Sequence, residues 1–309
     1  MPAAGTDSPD PAAEMATAIV VGGKLAAGGL ADPPVPWWSF TKTVLAAAAL
    51  VLAERGRLSL DGPLAGRPYS LRQLLQHRAG VPEYGALKAY HAAVACGDAP
   101  WPVAELLARI KSQVSVFEPG QGWLYSNVGY LFVRQIIEDA ADEGIGQAVT
   151  RLVLAPLGIS HAGFAETPDD LVSVRSGIAA GYHPGWVYHG LLTGPPAAAA
   201  LLLDRLMTGD LLSSASLRAM QDGFPLGGPI PGRPWQAPSY GLGLMIEAAG
   251  ACRFVGHTGG GPSSTVAVYH FPGRARGVTA AVFAPEDDQS AVEQRAVDIA
   301  RDIARADQV

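Results

Sequence analysis

Cysteine is nearly absent: the 309 residues hold two, Cys96 and Cys252. They lie far apart and form neither a CxxC pair nor a metal-ligand spacing, so both are expected as free thiols and a disulfide framework is not. Lysine is scarce, with Lys24, Lys42, Lys88 and Lys111 making the full set. Charged residues are only 16% of the chain against 49% hydrophobic, enough apolar matter for a sizeable core and too much for disorder. The net charge of −6 suits neither nucleic acid nor an anionic membrane. No apolar run reaches the ~18 residues of a membrane helix. Residues 1–11 lack the basic and apolar regions of a signal peptide, so a cytoplasmic protein is expected, unless the start is a trimmed one. The seven histidines show no HExxH-type spacing, which argues against a zinc hydrolase. There is no internal repeat. Neither metal nor organic cofactor is implied, and the oligomeric state stays open.

What is present centres on Trp37-Trp38-Ser39-Phe40-Thr41-Lys42 and the apolar block after it. Good helix formers run without proline to Gly56, and the pattern predicts a buried helix over 39–55, with Pro36 just upstream. Ser39 and Lys42 then share one face, three residues apart. A serine hydroxyl is a poor nucleophile until a base takes its proton. A lysine desolvated by an apolar block can be that base, because burial lowers its pKa. The helix N-terminus adds a dipole and free N–H groups where an oxyanion would form. A capping serine followed by a solvated lysine explains the pair equally well, since S-x-x-K alone is a weak pattern. Lys42 is, however, the only lysine with a serine three residues before it.

Along the chain, 1–15 reads as a loose tail. Residues 17–23 and 24–30 read as two strands across a Gly-Gly turn, and 32–36 as a stiff connector. Residues 70–77, 102–114 and 128–141 read as helices, and Ala197 to Ala200 lead into another. The last third predicts short antiparallel strands at 240–246, 253–256, 265–271 and 277–283, then an amphipathic helix over 288–306 that packs across them. The fold class is therefore α/β. Residues 16–57 and 218–309 form a discontinuous sheet lobe and 58–217 a mostly helical lobe, with a pocket expected between them.

Two further stretches carry chemistry. In Tyr125-Ser126-Asn127, a hydroxyl near a lysine can carry a proton, and an amide can hold both the lysine and a substrate carbonyl. In His257-Thr258-Gly259-Gly260-Gly261, placed at a strand end, glycines let a substrate lie against the backbone. A buried tyrosine, a turn asparagine and a glycine-rich hairpin explain each stretch singly; the three together, in this order, are harder to explain.

The order S-x-x-K, Y-x-N, H-T-G resembles the signature of serine β-lactamases of class C and their relatives: D-alanyl-D-alanine carboxypeptidases, D-amino-acid peptidases and amidases, and lactamase-fold esterases. The resemblance runs from about 19 to 304 and includes 74–82, 117–120, 125–129, 154–158 and 240–243. It implies a β-lactamase/transpeptidase-like fold, an antiparallel sheet flanked by helices beside a helical lobe. It implies Ser39 as nucleophile, Lys42 as base or relay, and Tyr125 as partner base and later acid. Asn127 would bind the acyl carbonyl, His257 would replace the lactamase lysine, and the N–H groups of Ser39 and Gly260 would form the oxyanion hole. Thr258 and Gly259 complete the substrate-binding strand, with Thr258 left as an anion contact. Trp37, Trp38, Trp186, Tyr188 and Trp235 either wall an acyl pocket or fill the core.

The expected activity is hydrolysis of a small ester, amide or β-lactam through an acyl-enzyme. An acyltransferase and a penicillin-binding sensor without turnover are the alternatives on the same residues. Carboxypeptidases of this family hold a substrate carboxylate with an arginine after Y-G-L-G; here Leu244, Met245, Ile246 and Glu247 follow, and Arg253 begins the next strand. An efficient carboxypeptidase is therefore not expected.

Overall fold

The computed structural model describes residues 15–177, 181–249, 253–273 and 277–306. Cys252 and most of the expected tail lie outside the described residues; Cys96 is exposed and unpaired. Eleven strands are assigned among the described residues: β1 (Ala16–Val21), β2 (Lys24–Ala27), β3 (Val35–Pro36), β4 (Gly163–Ala165), β5 (Leu191–Gly194), β6 (Phe224–Pro225), β7 (Pro238–Tyr240), β8 (Met245–Glu247), β9 (Phe254–Gly261), β10 (Ser264–Phe271) and β11 (Val278–Ala284). Eight of them form one sheet in the order β2-β1-β11-β10-β9-β8-β7-β6. Its pairings are all antiparallel, including β1 with β11, which joins the first and last strands with Ala16 opposite Phe283. A smaller sheet, β3-β5-β4, was not foreseen.

The helices are α1 (Thr41–Glu54), α2 (Leu71–Leu75), α3 (Lys88–Ala95), α4 (Val103–Arg109), α5 (Asn127–Ala141), α6 (Ile145–Val149), α7 (Pro196–Thr208), α8 (Ser214–Met220) and α9 (Gln289–Ala306). β10 and β11 are buried along their whole length, because α7 covers one face of the sheet and α9 the other. Each face closes its own core. Trp235, Phe254 and Tyr269 meet Val292 and Ala296 of α9, while α1, α5 and α7 fill the larger cluster on the opposite side. α7 falls within 58–217 yet packs on the sheet, so the helical stretch contributes to both layers. Among the described residues no helix is long and apolar enough to cross a membrane.

Three local differences from the sequence reading bear on the site. The helix expected over 39–55 begins as a 3-10 turn, Trp38–Phe40, and becomes α-helical at Thr41. The strand expected over 240–246 is two strands, β7 and β8, joined by a tight turn. There the N–H of Gly241 donates to the carbonyl of Leu244 at 2.8 Å. Gly243 has φ of 68°, and a Cβ there would meet Ala46 Cβ at 2.6 Å and the Lys42 carbonyl at 2.8 Å. Only glycine lets this turn lie so close to α1. Finally, the strand expected over 253–256 runs on to Gly261, so His257 to Gly261 are the last five residues of β9 rather than a segment after it.

Candidate active site

Ser39 sits on the 3-10 turn that enters α1. The preceding residue, Trp38, has φ of 41°, the left-handed region that a bulky residue rarely occupies and that is held only by its surroundings. The indole supplies the hold: its Nε1–H donates to Ser264 Oγ at 3.0 Å, and its ring lies against Gly261. β9 passes directly over the turn. A Cβ at Gly259 would lie 2.6 Å from the Ser39 nitrogen and 2.9 Å from the Trp37 carbonyl. Gly259→Ala is therefore expected to push β9 away from Ser39 and lower turnover by at least ~100-fold, the scale of an ångström of misplacement. Circular dichroism should show an intact fold, and a variant with near-normal kcat would contradict the argument.

Lys42 projects from the first turn of α1 into a fully buried position. Its Nζ lies 3.0 Å from Ser39 Oγ, 2.7 Å from Asn127 Oδ1 and 3.2 Å from His189 Nε2. Burial pulls its pKa down to about 7, against an opposing pull from the negative charge of Glu83. The aromatic faces of Tyr125 and Tyr130 lie 5.0 and 5.7 Å from the nitrogen. Tyr125 shares a side-chain hydrogen bond with Ser39; burial raises its phenol well above the usual value, with Glu83 adding to the effect, so the group is protonated.

The Tyr125-Ser126-Asn127 segment is fixed from two sides. Ser126 caps α5 by accepting from the N–H of Gly129 at 3.0 Å, which makes Asn127 the first helical residue. His77 Nδ1 accepts from the N–H of Ser126 at 3.1 Å, and its ring lies 4.3 Å from that of Tyr125. Glu83, which the sequence reading did not identify, accepts from Asn127 Nδ2 and from the N–H of Gly85, both at 2.9 Å, and from the backbone N–H of Asn127. A carboxylate can only accept, so it turns the amide of Asn127 with Nδ2 toward itself and Oδ1 toward Lys42.

The alternation along β9 divides its residues between two faces. His257 points to the α1 side, but it does not line the cavity. It is 1% exposed, with Nδ1–H donated to its neighbour's carbonyl at 2.6 Å and Nε2 accepting from the Tyr240 hydroxyl at 2.8 Å. Burial, with repulsion from Lys42, lowers its pKa to about 3, so it offers no positive charge to a substrate. Thr258 points to the other face, where its hydroxyl meets Tyr269 and Glu293, and it is not available to an anion in the cleft. Gly260 does reach the cleft. The Thr258 N–H points to the β8 edge, toward Met245 Sδ at 3.4 Å. By the same alternation the Gly260 N–H leaves that edge two residues later, where β8 has ended.

Ser39, Asn127, His189 and Gly260 line a cavity of about 130 Å³ walled by Trp38, Tyr84, Tyr90 and Tyr182. Of the aromatics singled out in the sequence, Trp38 is in this wall. Trp186 and Tyr188 stand behind it, edge-on to Tyr90 and Tyr84 respectively. Trp37 and Trp235 are core residues, the first bonded to the Gly194 carbonyl and the second to Glu293. Glu247 accepts from the backbone N–H groups of Gln236, Ala237 and Ala249, so it is not turned to the site, and Arg253 is exposed. Among the described residues no group of three His, Cys, Asp or Glu side chains is arranged to hold a metal.

A serine and a buried lysine beneath β9 of an antiparallel sheet, faced by Tyr-x-Asn from a helical layer, define a serine-lysine site on a sheet backed by helices. The chain belongs to the Beta-lactamase family, whose model matches residues 10–301. Over 168 residues it is 29% identical to esterase EstB of Burkholderia gladioli, covering 48% of this chain and 41% of that one. Over 134 residues it is 30% identical to a penicillin-binding protein of Bacillus subtilis (strain 168), covering 40% and 29%. The matches thus span less than half the length of these curated relatives. The D-amino acid amidase of Ochrobactrum anthropi SV3, solved with L-phenylalanine, superposes with a TM-score of 0.77 at 20% identity, over 94% of this chain and 93% of that one.

Proposed function

We propose that this protein is a serine hydrolase that forms an acyl-enzyme on Ser39 from a small, neutral ester or amide. The observation that carries the reading is the buried Lys42 amine 3.0 Å from Ser39 Oγ, with a pKa of about 7. In its neutral form Lys42 takes the serine proton as Oγ attacks the carbonyl. The N–H groups of Ser39 and Gly260 face the developing oxyanion. Asn127 keeps one Nδ2 hydrogen for the acyl side, the other being held by Glu83. Tyr125, protonated, gives its proton to the leaving group and recovers one from Lys42. Water then releases the acyl group by the reverse relay.

The cavity supports the substrate class. Its walls are aromatic and its lining holds no arginine among the described residues, while the negative charge of Glu83 acts on Lys42, Tyr90 and Tyr125 beside it. With His257 neutral and Thr258 turned away, a free carboxylate has no cationic partner among these residues. The names of the relatives, an esterase and an amidase, favour the same two bond types. The test compares kcat/KM for nitrophenyl butyrate, D-phenylalanine amide, a cephalosporin and a D-alanyl-D-alanine peptide. A missing charged hydrogen bond is worth ~10- to 100-fold, so the two substrates without a carboxylate should lead the anionic ones by at least ~10-fold. Arg253→Ala should leave the ranking as it is. A peptide that is the best substrate, and whose turnover Arg253→Ala selectively destroys, would refute this reading of the pocket.

A further inference from the structure

His189 makes the one polar contact of Lys42 that the three sequence motifs leave unexplained. It lies two residues before β5, lines the cavity beside Ser39 and is 2% exposed. Its Nε2 is 3.2 Å from Lys42 Nζ; the ring also interacts with the Trp38 backbone, but Nδ1 makes no hydrogen bond of good geometry. A buried imidazole so weakly held is costly, and an apolar residue of similar size would avoid that cost. The imidazole therefore has a use that an apolar side chain would not serve.

A neutral amine has two N–H donors and one lone pair, and Lys42 has three neighbours. Asn127 Oδ1 can only accept, because Glu83 fixes its amide, and so takes one N–H. If His189 Nε2 takes the second, the lone pair is left facing Ser39 Oγ–H, the orientation that proton abstraction requires. This assignment also puts the ring proton on Nδ1, which suits the interaction of the ring with the Trp38 backbone. Without an acceptor at position 189 the amine can turn and donate to Ser39 Oγ, which leaves the serine proton in place. We infer that His189 is a positioning residue whose Nε2 holds the Lys42 amine with its lone pair on the nucleophile. The serine proton moves to Nζ and from there replaces the one Tyr125 gives up; none passes to His189. The resulting lysinium has three donors for the same three partners.

The charged and titratable groups around the pair are His77 and Glu83 after α2, Tyr125 before α5, Tyr130 and Arg134 on α5, and His257 on β9. Burial, and then repulsion from Lys42, His257 and Arg134, keep His189 well below its ordinary pKa. Its accepting lone pair is thus present across the neutral range.

The inference rests on acylation at Ser39, and the experiment separates the two. Rates of Ser39 labelling by a fluorophosphonate, and kcat/KM for nitrophenyl butyrate from pH 5 to 10, are measured for wild type, His189→Leu, His189→Asn and His189→Gln. Leucine fills the space without an acceptor, asparagine reaches only the Nδ1 position, and glutamine places its oxygen where Nε2 stood. Leucine and asparagine should slow labelling ~10- to 100-fold, the scale of a lost charge-assisted hydrogen bond, with KM little changed. Glutamine should restore the rate to within ~5-fold of wild type, since it keeps the acceptor. The acid limb should move to lower pH in the leucine variant, because lysinium loses more than the neutral amine does. Wild-type labelling and an unmoved limb in the leucine variant would overturn the inference. So would a glutamine variant as slow as leucine; if leucine does not fold, asparagine supplies the comparison. A wild type that takes no label at Ser39 overturns the acyl-enzyme reading instead.

Discussion

Ser39→Ala is expected to abolish labelling by a fluorophosphonate and to lower turnover of the best ester by ~10⁴-fold or more, because no other group can form the acyl bond. The residual rate would come from the cavity and the backbone N–H groups alone. The fold should be unaffected: the serine hydroxyl contacts Lys42 and Tyr125, both of which keep other neighbours. Intact-mass spectrometry of wild type with the reagent should show one adduct, and peptide mapping should place it on Ser39. An adduct elsewhere, or an alanine variant that labels as fast as wild type, would mean that the buried lysine serves another purpose.

The adjacency of Ser39 and Lys42 was legible because a three-residue spacing survives the change from 3-10 to α-helix at Thr41. The antiparallel sheet and α9 were legible for a similar reason, since strand and helix periods repeat over enough residues to stand out. Period two also held information that was not used. In β9 it puts His257, Gly259 and Gly261 on one face and Thr258 and Gly260 on the other, so His257 and Thr258 cannot both turn to one substrate. The split of 240–246 into β7 and β8 depends on Gly243 approaching α1, a tertiary contact with no local signal beyond the glycines. Glu83 and His189 come from loops, where no period exists. Glu83 was detectable only as a carboxylate placed just after a stretch already singled out. His189 carried no spacing at all, because its partner is 147 residues away.

Lys42→Met should separate catalysis from stability, with opposite signs. Methionine keeps most of the volume and removes the amine, so turnover should fall by ~10²- to 10⁴-fold, the range for a lost general base. The wild-type kcat/KM should rise with pH through an acid limb centred near 7, as Lys42 loses its proton, and the variant should lack that limb. Stability should move the other way. Burial disfavours the charged amine, so its folded pKa of about 7 lies below the ordinary 10.5. Below pH 7 both folded and unfolded chains carry the proton and the wild type bears the full cost of burying it, on the order of 5 kcal/mol. Between about 7 and 10.5 the folded state sheds its proton while the unfolded state keeps it, so wild-type stability rises with pH; above that range it changes no further. The methionine variant lacks this term but leaves the former partners of the amine, Asn127 Oδ1 and His189 Nε2, without a donor, which offsets part of the gain. It should therefore melt above wild type at pH 6, by a margin that narrows steadily toward pH 10. A margin that does not change with pH would show that Lys42 is not titrating in the folded protein, and the base assigned to Ser39 would then have to be sought elsewhere.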